Sequence, residues 1–356
     1  MENSLTDIAK KWVLSHPDTE LLLKGMLTDA KNRFDSASLT DIIFGKALSK
    51  TISRKIEEET NLYLKQYESS QIHLFNLLAT KVPQVTLTTD IANDELVQAM
   101  SRKERVTLID FGIGTGRQIC ELLLNLNGKK NRPTNIKIIG IEPGKQSLGL
   151  ARKNIEKLSG NLDINVQFEG LRCKAEELNQ NDWSRLEKQS NILVNASFAL
   201  HHVNETDGYT RTDLLKKIRS LNPLIFVLAE PDVDHYTNHF LDRFQNCLDH
   251  FSKTFELIDQ LEIETSDKIS LKVNFFGREI DDIVGNPNEI RSERHESTHS
   301  WLERLRQAGF SQKDKRSMSD HFRHEMIQVN VRDGVYSLCH DQFPLISVIC
   351  METRAN

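Results

Sequence analysis

The sequence predicts an α/β protein built on a Rossmann-like parallel sheet, with a helical segment before it and an antiparallel strand pair at its end. Three observations carry this. Compact apolar runs of strand length at 106–111, 136–141, 164–168, 192–195 and 224–229 alternate with stretches of helical spacing, which is the pattern of a sheet covered by helices. The first run ends in closely spaced glycines and passes straight into a helix face. Near the end, Asp333-Gly334 is a turn pair that sets up the apolar runs 335–339 and 345–350 as paired strands.

Taken in order, residues 1–100 carry short helical patterns such as Ile42, Ile43, Ala47 and Leu48, with hardly a strand signal. They predict a helical cap, and residues 101–356 the sheet domain. Phe34, Phe44, Tyr63, Tyr67 and Phe75 give that cap apolar material for a pocket. After the strand at 106–111, Ile119, Leu122, Leu123 and Leu126 follow at the spacing of one helix face, and 148–158 forms a second helix after the second strand. Beyond Glu230 the alternation stops. Phe240, Phe244, Leu248, Phe251, Phe255 and Ile258 then predict one long amphipathic helix, and 278–306 reads as charged helices joined near Asn286-Pro287.

Composition narrows the function classes. With 356 residues, and roughly 150 per domain, two units are expected. The 46 basic and 51 acidic side chains leave a net charge of −5, which argues against a bulk grip on nucleic acid or on an anionic membrane. Five scattered cysteines with no Cys-x-x-Cys pair fit a reducing compartment. No apolar run approaches the length of a membrane span and residues 1–16 lack a signal-peptide pattern, so a cytoplasmic protein is expected. Self-association into a homo-oligomer is left open.

The strongest local motif is Asp110-Phe-Gly112-Ile-Gly114-Thr-Gly116, at the turn from strand to helix. Glycines there let backbone approach a ligand, and the helix N-terminus offers unpaired N–H groups. Glu142 stands at the tip of the second strand, where a carboxylate can accept both hydrogen bonds of a ribose diol. The Asp-x-Gly-x-Gly-x-Gly spacing resembles the first motif of class I S-adenosylmethionine (SAM) methyltransferases more than the dinucleotide Gly-x-Gly-x-x-Gly. SAM is the expected cofactor, its ribose at Glu142 and its amino-acid end near Gly112, Gly114 and Asn195. Glu176 is placed at the adenine rim. The same glycines could instead serve strand-to-helix packing.

Polar residues after the fourth and fifth strands face the ligand side of such a sheet. They are Asn195, His201 and His202, then Glu230, Asp232 and His235. A carboxylate beside a histidine suits deprotonation of an acceptor hydroxyl, so His235 with Glu230, and the pair His201 and His202, are the candidate bases. His295 and His299 share an i, i+4 face, but nothing nearby completes a metal site, so no metal is expected.

One further block is more specific. Arg278-Glu279-Ile280, Ile283-Val284, Arg291, Glu293-Arg294-His295-Glu296, Trp301 and Ala308-Gly309-Phe310, together with Leu200-His201-His202 and the stretch 218–223, resemble the GRAS-domain family. The similarity runs from about residue 39 to 350. It implies a class I methyltransferase-like Rossmann fold, with the charged block in a structural, salt-bridging role. Plant members are transcriptional regulators in which the glycine loop is commonly degraded. Retention of Gly112, Gly114 and Gly116, with His340 and Met351 where tryptophans are usual, points to a bacterial-type branch. The expectation is therefore a SAM-dependent methyltransferase acting on a small hydroxyl- or carboxyl-bearing acceptor. The alternative is a non-catalytic GRAS-type regulatory or ligand-binding protein acting through protein–protein contact.

Overall fold

The computed structural model describes residues 4–33, 35–65, 71–314, 319 and 321–353. The chain opens with helices α1 (Leu5–Val13), α2 (Thr19–Arg33), α3 (Ser36–Ile52), α4 (Arg54–Leu64), α5 (Gln71–Lys81) and α6 (Pro83–Met100). There follow β1 (Arg105–Phe111), α7 (Arg117–Leu126), β2 (Asn135–Ile141), α8 (Lys145–Ser159), β3 (Asn165–Leu171), α9 (Gln180–Glu187), β4 (Ile192–Ser197), α10 (Arg211–Ser220) and β5 (Ile225–Pro231). The last part holds α11 (Phe240–Gln260), α12 (Thr265–Ser270), a π-helical turn (Leu271–Phe276), α13 (Gly277–Gly285) and α14 (Thr298–Gln307). Strands β6 (Ser311–Gln312), β7 (Gln328–Arg332), β8 (Val335–His340) and β9 (Phe343–Glu352) end it.

The fold is mixed α/β, in two compact units. One combines Met1–Thr86 with Val233–Glu296, the other Leu87–Asp232 with Ser297–Asn356. This differs from the linear boundary expected near residue 100. The segment after β5 leaves the sheet unit because α11 is an amphipathic helix whose apolar stripe buries against other helices. Phe44 of α3 meets Phe244 edge-on, and Trp12 of α1 meets Phe240 the same way. Phe75 is exposed and touches Phe275, whereas Phe34 and Tyr67 lie outside the described residues.

In the sheet unit the strand order is β3-β2-β1-β4-β5-β9-β8-β7, with β6 on β9. The first five strands are parallel, and β9 runs antiparallel between β5 and β8. Every residue of β1 after Arg105 is buried, as suits a central parallel strand built of branched apolar residues. Ile119, Leu122, Leu123 and Leu126 of α7 are buried, and Trp183 of α9 stacks on Phe111. The strand order turns back between β1 and β4, the place where open α/β sheets form a ligand crevice.

The terminal hairpins differ in detail from the sequence pattern. Asp333-Gly334, both with positive φ, joins β7 to β8. The β8–β9 turn is made by Asp341 and Gln342, also both at positive φ, without the glycine that usually marks such a turn. Among the described residues no helix is long and apolar enough to cross a membrane.

Candidate functional site

The glycine loop joins β1 to α7. Its three glycines sit at φ of 77°, 53° and 75°, a region that disfavours any side chain. Their surroundings differ. A Cβ on Gly112 would lie 2.5 Å from the Ala199 Cβ, and one on Gly116 3.0 Å from the Ala151 Cα, so both are held by close packing. A Cβ on Gly114 would meet nothing nearer than the Gly112 carbonyl oxygen at 4.0 Å. Gly114 is thus the one glycine of the loop that faces open space.

Glu142 follows β2 and is bound to this loop. Its Oε2 accepts from the Gly114 N–H at 3.2 Å and its Oε1 from the Gly144 N–H at 2.8 Å. Each carboxylate oxygen has a second lone-pair site, so the geometry can also take a diol. The residues present therefore fit the ribose end of an adenosyl ligand.

Under the loop lies a buried polar strut. Asn195 of β4 donates through Nδ2 to Asp110 Oδ1 at 2.8 Å, and its amide exchanges hydrogen bonds of 3.4 Å with Gln118 of α7. Gln118 is in turn fixed by Asn93 of α6, whose Nδ2 donates to its carbonyl oxygen. Burial pushes the Asp110 carboxyl up to about 7, against the Asn195 hydrogen bond and with Glu142 adding to the rise. Gln118 and Asn93 were not singled out from the sequence. The only available signal was the position of Gln118, two residues past the last loop glycine.

After β5, Glu230 reaches back to the loop after β4. Its Oε1 accepts from the N–H groups of Ala199, Leu200 and His201, and its Oε2 lies 2.5 Å from His201 Nδ1. Both side chains are buried. The His201 carbonyl oxygen takes a hydrogen bond from Arg211, whose guanidinium lies over the Trp301 ring. The His202 ring is tilted against that of His201, and His202 is exposed. Glu176, in a short turn after β3, accepts from the Asn204 N–H at 3.2 Å. Asp232 caps α14 by accepting from the Thr298 N–H at 2.7 Å.

His235 belongs to the helical unit. It is fully buried, its Nδ1 is 2.9 Å from His295 Nδ1, and its N–H donates to the His295 carbonyl oxygen. The ring is stacked on Phe251 and stands edge-on to His250. Burial pulls the His250 imidazole down to about 4. The arginines of the charged block around His295 donate to main-chain acceptors. Arg291 donates to the carbonyl oxygens of His235 and Glu293, and Arg294 to those of Arg291 and Asn288. Asp282 accepts from the N–H groups of Ser292 and Glu293. Glu293 Oε2 also lies 3.7 Å from His295 Nε2. The backbone acceptors are available because residues 291–297 have no helix or sheet to satisfy their carbonyls.

With this geometry, the chain proves to be a GRAS-domain protein. The GRAS domain family model matches residues 20–345, so the chain belongs to that family. It is 30% identical over 250 residues to DELLA protein 2 of Medicago truncatula, covering 68% of this chain and 46% of that protein. It is 26% identical over 230 residues to Scarecrow-like transcription factor PAT1 of Arabidopsis thaliana, covering 62% and 47%. The crystal structure of SCL7 from Oryza sativa superposes with a TM-score of 0.77 at 22% identity, over 93% of this chain and 94% of that one, a likeness of fold. The chain spans about half the length of the curated relatives it matches.

These relatives correct the functional expectation. They are plant proteins, one of them named a transcription factor. That overturns the reading of a SAM-dependent methyltransferase, and with it the small-molecule acceptor as partner. The bacterial-type branch is likewise unsupported. The expected base Glu230 is buried, accepts from three main-chain N–H groups and lies against His201, which fixes the loop after β4. The other expected base, His235, is enclosed beside His295 in the helical unit.

Proposed function

We propose that this protein is a non-catalytic GRAS-type regulator that works by protein–protein contact and keeps a ligand crevice in its sheet unit. The observation that carries this reading is the family match across residues 20–345, together with the likeness to a relative named a transcription factor. The buried Glu230–His201 pair supports it, because the polar groups after β4 and β5 act as internal struts.

In the finer reading the sheet is a class I methyltransferase-type Rossmann sheet. The β3-β2-β1-β4-β5 order and the turn-back between β1 and β4 support that. SAM is then a ligand that is held and not consumed, with Glu142 on its ribose and the open side of Gly114 beside it. A bound ligand stabilises the state that binds it, so it would act on partner affinity through the sheet unit.

The test is capture and reconstitution. Proximity labelling in the cells of origin names the protein neighbours, and the purified candidates are titrated into the full chain. A stoichiometric complex with a dissociation constant of about 10 μM or tighter is expected. If no candidate forms a complex with the pure chain, the protein-contact reading fails.

A further inference from the structure

The helical unit carries a groove that the family likeness does not explain. It has a volume of about 580 Å³, within the usual range for ligand sites. Helix α3 packs against both α4 and α13, and supplies the floor through Ile43 and Lys46. One wall is the stripe Glu58, Asn61 and Leu62 of α4 with its C-cap Lys65, at i, i+3, i+4 and i+7. The other is the stripe Val273, Gly277, Arg278 and Asp281, from the π-helical turn into α13. Single π-helical turns inside helices occur often at functional sites.

Each wall carries one acid and one base, and these differ in their partners. Asp281 is held by two cations, Lys46 at 2.9 Å and Lys50. Glu58 is taken by Arg54, 3.0 Å away. Lys65 and Arg278, on opposite walls and both exposed, have no carboxylate against them among the described residues. Between them Leu62 is 74% exposed, a large apolar side chain on the rim of the groove above Ile43. A trough lined by Leu62, Ile43 and Val273, with an exposed cation on each side that no carboxylate of the described residues meets, matches one shape of partner. That is a helix with an apolar stripe flanked by carboxylates.

We propose that this groove is the docking site for an acidic amphipathic helix of a partner protein. The inference rests on the protein-contact reading above and gives it a location and a partner chemistry. The helix places apolar residues at i, i+3 or i+4 and i+7 over Leu62, Ile43 and Val273, with Asp or Glu on its two flanks reaching Lys65 and Arg278. About 12 residues, some 18 Å of helix, match the 11-residue α4 wall.

A phage-displayed library of helices of roughly that length, with a fixed leucine stripe and randomised flanks, is selected on the full chain. The expected result is enrichment of peptides acidic on both flanks. Synthesised with a fluorescent label, they should lose about tenfold or more in affinity for a Lys65→Glu, Arg278→Glu double variant. Replacing their carboxylates by lysine should restore binding to that variant. Leu62→Ala should weaken the acidic peptides several-fold, and circular dichroism melts of both variants should match the parent. Selection with no acidic bias, or peptides indifferent to the charge reversal, or no enrichment, would overturn the assignment. If the groove fails while a reconstituted complex stands, only the docking site is lost. If no complex forms either, the protein-contact reading is lost with it.

Discussion

Glu230 and His201 form a buried pair, with Oε2 and Nδ1 2.5 Å apart, across the loops that follow two adjacent parallel strands. In a working methyltransferase such a pair would be read as a base and its orienting partner. Here the same carboxylate also collects the N–H groups of Ala199, Leu200 and His201, which fixes the turn after β4. Removing it leaves three donors and a ring without their acceptor. Glu230→Ala is expected to cost about 3 kcal/mol or more of stability, since each buried donor left unsatisfied costs about 1–3 kcal/mol. Urea unfolding measures it, and a loss below about 1 kcal/mol would mean the pair is not structural.

The three loop glycines should separate by what surrounds them. Gly112→Ala meets both a positive φ and the Ala199 Cβ at 2.5 Å, and Gly116→Ala meets the Ala151 backbone. Gly114→Ala meets only the φ penalty, about 1–2 kcal/mol. Thermal melts should rank Gly114→Ala as the mildest of the three. Calorimetric titration with SAM should rank it differently, since its side chain enters the open side of the crevice. Glu142→Ala should weaken that titration about ten- to a hundredfold, as expected for loss of a carboxylate's hydrogen bonds.

The parts of the fold legible in the sequence are those set by neighbours in the chain. The run 106–111 could only bury as a strand, and Ile119, Leu122, Leu123 and Leu126 only as one helix face, so β1, the glycine turn and α7 were open to reading. The return of 233–296 to the N-terminal helices was not, because a stripe of phenylalanines says that a helix is buried and not against what. Asp341 and Gln342 turn a hairpin at positive φ without glycine, which no local rule anticipates. His235 and His295, 60 residues apart, show the same limit, since only tertiary packing decides which histidine meets which.

The two units should respond to pH with opposite sign. Asp110 has a folded pKa raised to about 7 from 3.8. Between those values the native state keeps a proton that the unfolded chain gives up, so its contribution to stability falls as pH rises and is constant above 7. His250 has a folded pKa lowered to about 4 from 6.5. Between those values the unfolded chain takes up a proton and the native state does not, so stability is lost as pH falls through that window. Each slope is at most about 1.4 kcal/mol per pH unit. Asp110→Asn keeps an acceptor for Asn195 and should raise the melting temperature at pH 7 and above. His250→Phe should flatten the acid limb below pH 6.5. Unchanged pH profiles in both variants would contradict the buried titrations.

The central claim is that the sheet unit holds its polar residues as struts and not as a catalytic set. The most direct test is an incubation of the full chain with methyl-tritiated SAM and the small-molecule fraction of the cells that make it. The expected result is no time-dependent tritium in any compound other than SAM, in a sample whose SAM binding is verified by calorimetry. Tritium accumulating in a small molecule in proportion to the amount of chain, and lost with Glu142→Ala, would contradict the account.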